Sequence, residues 1–230
     1  MGRGAAGLGR PARSLPRLAP RRGRRMSTRS DPRPATAVNS APDPRVLATL
    51  AMPGVAVALW HRRPDPAFQA WLDALPGCRL PQLRRVLRLR DASAALAAAC
   101  DDRGLPPGPH RDALIDQIAT LTDQAARHLG ALLVTLRVEA GAGQSCPKWH
   151  LDAVRARLLC TLRGAGTQFG PATGEARVDH PQQMPTGAAA LFRGRNWGNQ
   201  PPGILHRSPP AQPGLTRLLV VVDPVDEVAA

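Results

Sequence analysis

The hydrophobic positions of this chain follow different spacings before and after Gly130. Between Arg111 and Gly130, apolar residues recur every three or four positions, a spacing that predicts a helix with one apolar face. From residue 131 onward, apolar segments of strand length alternate with clusters of glycine and proline. We therefore expect a mainly helical scaffold at residues 46–130 and a strand-rich region at residues 131–230, packed together as one domain.

The same patterns predict the individual elements and the fold class. Helices are predicted at residues 64–75, 92–100 and 111–130, and strands at residues 53–60, 131–139, 154–162, 188–193, 203–207 and 216–223. Short strands separated by turn residues are typical of an antiparallel sandwich or barrel, so the expected class is α+β. A complete barrel would need further strands from the N-terminal half, for which residues 53–60 and 83–90 are the candidates.

The basic N-terminal segment accounts for most of the net positive charge. The chain carries a formal net charge of +14, and residues 1–25 hold eight arginines and no acid, which leaves only +6 for the remainder. Residues 1–45 contain few large apolar side chains, so they are predicted to form a disordered Arg/Pro-rich tail. We expect the true start to lie at Met26, with an authentic basic arm as the alternative.

Composition also limits the classes of function. Nucleic-acid binding through the basic tail is a weak alternative, because only 3% of the residues are aromatic and proteins that bind single strands need aromatic stacking platforms. No apolar run is long enough to cross a membrane. Cys78, Cys100, Cys146 and Cys160 form no CxxC pair, so we expect reduced thiols in a cytoplasmic protein.

Candidate metal ligands occur early in the strand-rich region, in His150-Leu151-Asp152. In extended backbone, residues i and i+2 point to one side, so the side chains of His150 and Asp152 are expected to converge. Continued alternation places four further residues on that inward face: Val154, Ala156, Leu158 and Cys160. It places Arg155 and Arg157 on the opposite face, unless a bulge shifts the phase.

A second triplet with this spacing, His110-Arg111-Asp112, is predicted to have a structural role. It follows the sequence PPGP and opens a predicted helix, in which residues two apart diverge by about 200°. Asp112 is therefore expected to stabilise the N-terminus of that helix rather than to bind a metal.

Two residues near the C-terminus complete a candidate site around His150 and Asp152. His206 lies 54 positions after Asp152, and Arg217 lies eleven positions after His206, each on its own predicted strand. Two histidines and one carboxylate form a facial triad, which leaves positions on a ferrous ion for a chelating co-substrate and dioxygen. Arg217 could bind the far carboxylate of that co-substrate through two hydrogen bonds. Its alternative role is an outward arginine paired with Asp223.

These residues resemble the signature of the 2-oxoglutarate- and Fe(II)-dependent dioxygenases, over residues 131–225. The segments GAGTQF (164–169) and TGAAALFRG (186–194) resemble further parts of that signature. The segments CPKWHLDAVRARLLCTLRGAGT and LHRSPP more closely resemble an uncharacterised bacterial domain-of-unknown-function family.

The resemblance implies a double-stranded β-helix, or jelly-roll, fold with His150, Asp152 and His206 as Fe(II) ligands. It also implies Arg217 as the anchor of 2-oxoglutarate. Many members bind this co-substrate with a tyrosine, and the chain has none, so Thr161 or Ser208 is expected to take that place. The oxidised substrate, a small molecule or a protein side chain, stays open.

Other interpretations of the candidate site lead to different functions. Cys146 and Cys160, together with His150 and His206, would offer a tetrahedral zinc site, because thiolates favour that ion. A metal-binding protein of the same fold that performs no oxidation, such as one concerned with zinc supply, is the main alternative to an oxygenase.

Overall fold

Ten strands form two sheets in the part of the chain that the computed structural model describes, namely residues 1–2, 33–174, 176–198 and 200–225. In chain order, the strands are β1 (Ala37–Ala41), β2 (Val55–Trp60), β3 (Leu83–Arg88), β4 (Leu133–Gly141), β5 (Ala156–Arg163), β6 (Gln168–Pro171), β7 (Gln182–Gln183), β8 (Ala189–Arg193), β9 (Ile204–Arg207) and β10 (Arg217–Pro224). The α-helices of the same part are α1 (Pro66–Ala74), α2 (Ala92–Asp102) and α3 (Pro109–Leu129).

Along the C-terminal half, the chain crosses repeatedly between two sheets. The larger sheet has the order β1-β2-β8-β5-β10-β4-β3, and the smaller sheet has the order β7-β6-β9. Neighbouring strands are antiparallel except for β1 and β2, which are parallel. From β5 to β10 the chain passes back and forth between the sheets. His206 in β9 and Arg217 in β10 are therefore carried by different sheets.

The helices cover one face of the larger sheet. Helix α3 contacts β4, β5 and β10 and buries the apolar positions that its sequence predicts, namely Leu114, Ile118, Leu121, Ala125 and Leu129. The helix ends at Gly130, whose φ of 61° lies in the left-handed region that glycine adopts without a Cβ penalty. The predicted helix at residues 111–130 is confirmed.

The opposite face of the larger sheet packs against the smaller sheet. Its apolar cluster includes Phe169 from β6 and Ile204 from β9, together with Leu159, Phe192 and Val221 from the larger sheet. Strands β5, β8 and β10 are therefore buried on both faces, which explains their nearly continuous apolar sequences.

The N-terminal half contributes strands as well as helices. Strands β2 and β3 join the larger sheet, which confirms the candidates at residues 53–60 and 83–90. The predicted tail is wrong for residues 33–45, because β1 pairs with β2; its sequence, AVNSA, has too few large apolar residues to indicate a strand. The rest of that tail, residues 3–32, lies outside the described residues. None of the described helices is long and apolar enough to cross a membrane.

Candidate metal centre

His150 and His206 are brought together by backbone pairing. The two residues form an antiparallel bridge, in which each backbone N–H donates to the carbonyl oxygen of the other at 3.1 Å. On its other side, His206 pairs with Phe169 of β6. The bridge therefore adds His150 to the edge of the smaller sheet, and the two imidazole centroids lie 4.5 Å apart.

Asp152 lies between this bridge and the turn at residues 153–155 that precedes β5. Long-range backbone bonds hold the turn, since the N–H groups of Arg195 and Asn196 donate to the carbonyl oxygens of Asp152 and Val154 at 2.8 and 3.2 Å. Gly194 is needed for this close approach, because a Cβ there would collide with the carbonyl oxygen of Val154. The position of Asp152 is thus fixed by residues about 40 positions later in the chain.

The side chains of His150, Asp152 and His206 converge, as the sequence predicts. Their candidate ligand atoms all lie within 4.8 Å of one another, and no other such group occurs among the described residues. His206 Nε2 is 3.1 Å from Asp152 Oδ2, and His150 Nε2 is 3.7 Å from Asp152 Oδ1. Asp152 and His206 are buried, whereas the His150 side chain is 33% exposed. The group is therefore shielded on one side and open on the other.

The hydrogen bonds of this group leave its metal-facing atoms available. His150 Nδ1 lies 2.9 Å from the carbonyl oxygen of Lys148, which fixes Nδ1 as the donor and leaves Nε2 as the free acceptor. Asp152 Oδ2 is buried and has no hydrogen bond of regular geometry, although His206 Nε2 lies 3.1 Å away. A buried carboxylate oxygen without a donor is costly unless a cation binds it.

Burial and charge act in opposite directions on Asp152. Burial raises its pKa, whereas His206, Arg157 and His150 lower it, and the net effect lowers the pKa from the usual value. Asp152 is therefore ionised at neutral pH, as a metal ligand must be.

Arg157 lies on the opposite face of β5 from the one predicted. Ala156, Leu158 and Cys160 face the helices, and Arg157 and Leu159 line the cleft beside the two histidines. The alternation fails because residues 153–155 form a turn before β5 begins, so the strand starts in a different phase.

Arg157 joins Asp152 to the larger sheet. Its Nη1 donates to Asp152 Oδ1, and its Nε and Nη2 donate to the two carboxylate oxygens of Asp223 at 2.6 and 2.8 Å. Asp223 also lies 3.7 Å from Arg137 Nη2. No pattern in the sequence indicated this network, because Arg137, Arg157 and Asp223 come from three different strands and Asp152 precedes β5.

Arg217 lies at the first position of β10 and hydrogen-bonds only neutral groups. Its Nε donates to the carbonyl oxygen of Ala165 at 2.8 Å, and its Nη2 donates to the hydroxyls of Thr161 and Thr167 at 2.7 and 3.2 Å. The alternative pairing with Asp223 is wrong, since Asp223 pairs with Arg157. Among the described residues, no carboxylate lies within ion-pair distance of Arg217. Burial lowers the pKa of Arg217 to about 10, with Glu139 and Cys160 acting weakly in the other direction.

A cleft lies beside the two histidines, and Glu139, Ser208 and Leu219 are part of its wall. Two adjoining depressions share these residues, Glu139 and Leu219 in one and Ser208 in the other, and both reach Arg217. The Ser208 hydroxyl accepts a hydrogen bond from the backbone N–H of Cys146 at 3.4 Å. The wall therefore runs continuously from the histidines to Arg217.

The cysteines do not join this site. Cys160 is fully buried on the helical side of β5, and burial raises its pKa to about 11, which opposes the thiolate form that zinc requires. Cys146 is exposed and is not among the converging ligand atoms. The tetrahedral zinc site predicted with these two cysteines is therefore wrong.

Trp149 and Trp197 lie in different parts of the molecule. Trp149 precedes His150 and stacks under the guanidinium of Arg207, which is 4.3 Å from the ring centroid. Arg207 also donates to Gln168, its cross-strand neighbour, so its side chain follows the face opposite to that of His206. Trp197 packs against the helical core under Arg193.

Two sheets that face each other, with a His-Asp-His group beside them, are the arrangement of the double-stranded β-helix fold. The chain is similar to dioxygenase for auxin oxidation 1 from Arabidopsis thaliana, solved with 2-oxoglutarate, with a TM-score of 0.50 and 9% identity over 85% of this chain and 94% of that chain. Similarity at this level of identity shows the fold.

Two further solved structures have lower TM-scores. They are a rice dioxygenase for auxin oxidation, with a TM-score of 0.46 and 14% identity over 83% of both chains, and a 2-oxoglutarate/Fe(II) oxygenase family protein from Burkholderia pseudomallei, with a TM-score of 0.39 and 15% identity over 82% of this chain and 95% of that chain.

The chain belongs to the family described as "Protein of unknown function (DUF1826)", whose model matches residues 41–223. The match spans the three converging residues and Arg217. No curated protein matches the chain.

Proposed function

We propose that this protein is an Fe(II)- and 2-oxoglutarate-dependent oxygenase. The proposal is carried by two incompletely partnered groups, one beside the two histidines and the other at the far end of the cleft wall. Asp152 Oδ2 is buried without a donor, and Arg217 has no acidic partner among the described residues. A divalent cation would compensate the first, and an anion would compensate the second. 2-Oxoglutarate offers a keto-acid end for chelation and a carboxylate at its far end, so it suits both.

The three converging residues fit a ferrous ion. His150 Nε2, His206 Nε2 and Asp152 Oδ2 supply the two imidazoles and one carboxylate of the facial triad that is typical of non-haem Fe(II) oxygenases. The contact of Lys148 with His150 fixes the tautomer, as hydrogen-bond partners of ligating histidines commonly do. When bound, the ferrous ion supplies activation of dioxygen.

The protein's own groups would orient the co-substrate. We propose that Arg217 binds its far carboxylate and that Thr161, whose hydroxyl accepts from Arg217, fixes the direction of the guanidinium. The hydroxyl of Thr167, just before β6, also accepts from Arg217 and would help to fix the guanidinium. The sequence analysis did not single out Thr167. Ser208, on the wall between the histidines and Arg217, is placed to donate its hydroxyl to the bound acid.

In the overall reaction, 2-oxoglutarate loses carbon dioxide and becomes succinate. One atom of dioxygen enters the succinate, and the other is inserted into a C–H bond of the substrate to give an alcohol. The proposal can be tested without the substrate, because co-substrate binding precedes oxidation.

The test is an anaerobic titration of the Fe(II)-loaded protein with 2-oxoglutarate, followed by the charge-transfer absorbance of the chelate. We expect a saturable band at micromolar to millimolar concentrations. Fe(II) loading without any band would contradict the proposal and favour a metal-binding protein that performs no oxidation. Failure to load Fe(II) at all would contradict the assignment of a metal site.

A further inference from the structure

Arg157 binds one oxygen of Asp152 and leaves the other oxygen without a partner. Its Nη1 donates to Oδ1, whereas Oδ2 faces His206 and has no hydrogen-bond donor. Arg157 and Asp152 are both largely buried, with side-chain exposures of 17% and 8%. The two oxygens of this carboxylate are therefore not equivalent, and water does not readily replace the arginine.

Asp223 prevents Arg157 from turning away. The two carboxylate oxygens of Asp223 accept from Nε and Nη2, which leaves Nη1 directed at Asp152. Asp223 is 11% exposed at the side chain and lies near the end of β10, the strand that begins with Arg217. A planar guanidinium held by two parallel hydrogen bonds has a fixed direction, which a lysine could not reproduce.

The number of available carboxylate oxygens matters for a six-coordinate ion. Two imidazoles and one carboxylate oxygen leave three positions, of which a chelating keto acid takes two and dioxygen takes the third. If both oxygens of Asp152 were free to bind, the keto acid would fill the remaining two positions. Dioxygen would then have no place.

We infer that Arg157, held by Asp223, is a positioning residue that restricts Asp152 to a single metal-binding oxygen, Oδ2, and so keeps the third position open. The inference rests on the proposed function and adds to it a role for two residues outside the triad. Arg157 acts through Asp152 and does not itself contact the reacting atoms.

The experiment compares the wild type with Arg157→Gln/Asp223→Asn, a double variant that removes one charge of each sign and so limits the electrostatic disturbance of the core. Each Fe(II) protein is saturated anaerobically with 2-oxoglutarate and titrated with nitric oxide, a probe of the oxygen position, by electron paramagnetic resonance. The wild type should bind both ligands together. In the double variant, Fe(II) should stay bound, and nitric oxide should require about ten- to hundredfold higher concentrations once 2-oxoglutarate is present.

Arg157→Lys is the second variant, because it keeps the charge and loses the planar fork. It should show the same competition, whereas a purely electrostatic or structural role would be rescued by lysine. Arg111→Gln is the matched control, since Arg111 is also buried and ion-paired but touches none of the cleft residues. Thermal unfolding verifies that each variant is folded.

Two results would overturn the inference while leaving the proposed function intact. In one, either Arg157 variant binds 2-oxoglutarate and nitric oxide together as the wild type does. In the other, folded Arg157 variants lose Fe(II) altogether, which would show that Arg157 sets metal affinity rather than the number of bound oxygens. Absence of the chelate band in the wild type would instead contradict the proposed function.

Discussion

His110-Arg111-Asp112 lies in the first turns of α3, whereas His150-Leu151-Asp152 lies between the bridge to β9 and the start of β5. In the helix the flanking residues diverge: His110 stacks on Trp71 with centroids 5.4 Å apart, and Asp112 is exposed. In the second triplet they converge on one point. Equal spacing therefore has opposite consequences in the two regions, because backbone conformation decides which side chains meet.

The two triplets also differ in the interactions that surround them. Arg111 turns inward and donates to the carbonyl oxygens of Leu105 and Ala97 at 2.9 and 3.1 Å, so it ties α3 to the preceding segments. The second triplet receives a third ligand, His206, from a distant strand. One region uses its charges for stability, and the other leaves Asp152 Oδ2 available for a ligand.

The largest expected effect is loss of metal from only one triplet. His150→Ala or Asp152→Ala should abolish Fe(II) binding, because each removes one of three ligands. His110→Ala and Asp112→Ala should keep about one Fe(II) per chain. Metal analysis after anaerobic reconstitution and desalting measures the difference. Full occupancy in a His150→Ala/His206→Ala double variant would contradict the assignment.

The next effect concerns Arg217, which is half-buried. Arg217→Ala should retain Fe(II) but weaken 2-oxoglutarate binding by about 2 to 5 kcal/mol, because the far carboxylate loses its cation. Arg217→Lys should not restore it, since an ammonium cannot form the same pair of hydrogen bonds. Titration of the charge-transfer band gives the affinities. An unchanged titration in Arg217→Ala would reject Arg217 as the anchor.

Arg111→Ala should lower the stability of the protein without changing Fe(II) binding. It removes the arginine donor from the carbonyl oxygen of Leu105 and a further hydrogen bond to that of Ala97, so the free energy of unfolding should fall by about 1 to 3 kcal/mol. The ion pair with Asp101 adds little, because that carboxylate is 66% exposed. Urea unfolding measures the loss, and Fe(II) content should not change. A loss of metal with full stability would contradict the separation of roles.

The smallest expected effect is on the cysteines near the two triplets. In the folded protein at about pH 8, an alkylating reagent should modify the exposed Cys78 and Cys146 and spare the buried Cys100 and Cys160. Alkylation should leave Fe(II) content unchanged, as counted by mass spectrometry and metal analysis. Loss of metal on alkylation would restore a role for Cys146.

The burial of Cys160 should make the free energy of unfolding depend on pH. Because the pKa of Cys160 is raised from 9.0 to about 11, its thiol ionises first in the unfolded chain, so the free energy of unfolding should fall as pH rises through this interval. Cys160→Ala should remove that part of the fall. An identical alkaline decline in the variant would show that other groups cause it.

Local patterns predicted much of the fold and the centre of the site. The apolar stripe of α3, the PPGP sequence before it and the extended triplet at residues 150–152 all carry short-range signals, and each prediction of position agrees with the structure. Convergence of His206 with the triplet was predicted through the family resemblance and the spacing, since pairing between β9 and residue 150 is a long-range event.

The failures have a common physical cause. The phase of β5 was wrong because the turn at residues 153–155 is held by backbone bonds from residues 194–196, and its own sequence, AVR, carries no turn residue. Arg157 was therefore placed on the wrong face. β1 was missed because its stability comes from pairing with β2 rather than from its own apolar residues.

The most direct test of the account is a crystal structure of the protein loaded anaerobically with Fe(II), with diffraction data collected at the iron absorption edge. We predict one anomalous peak, at bonding distance from His150 Nε2, His206 Nε2 and Asp152 Oδ2, with Arg157 still on Oδ1. A peak beside His110 and Asp112, or iron bound through the cysteines, would contradict the account.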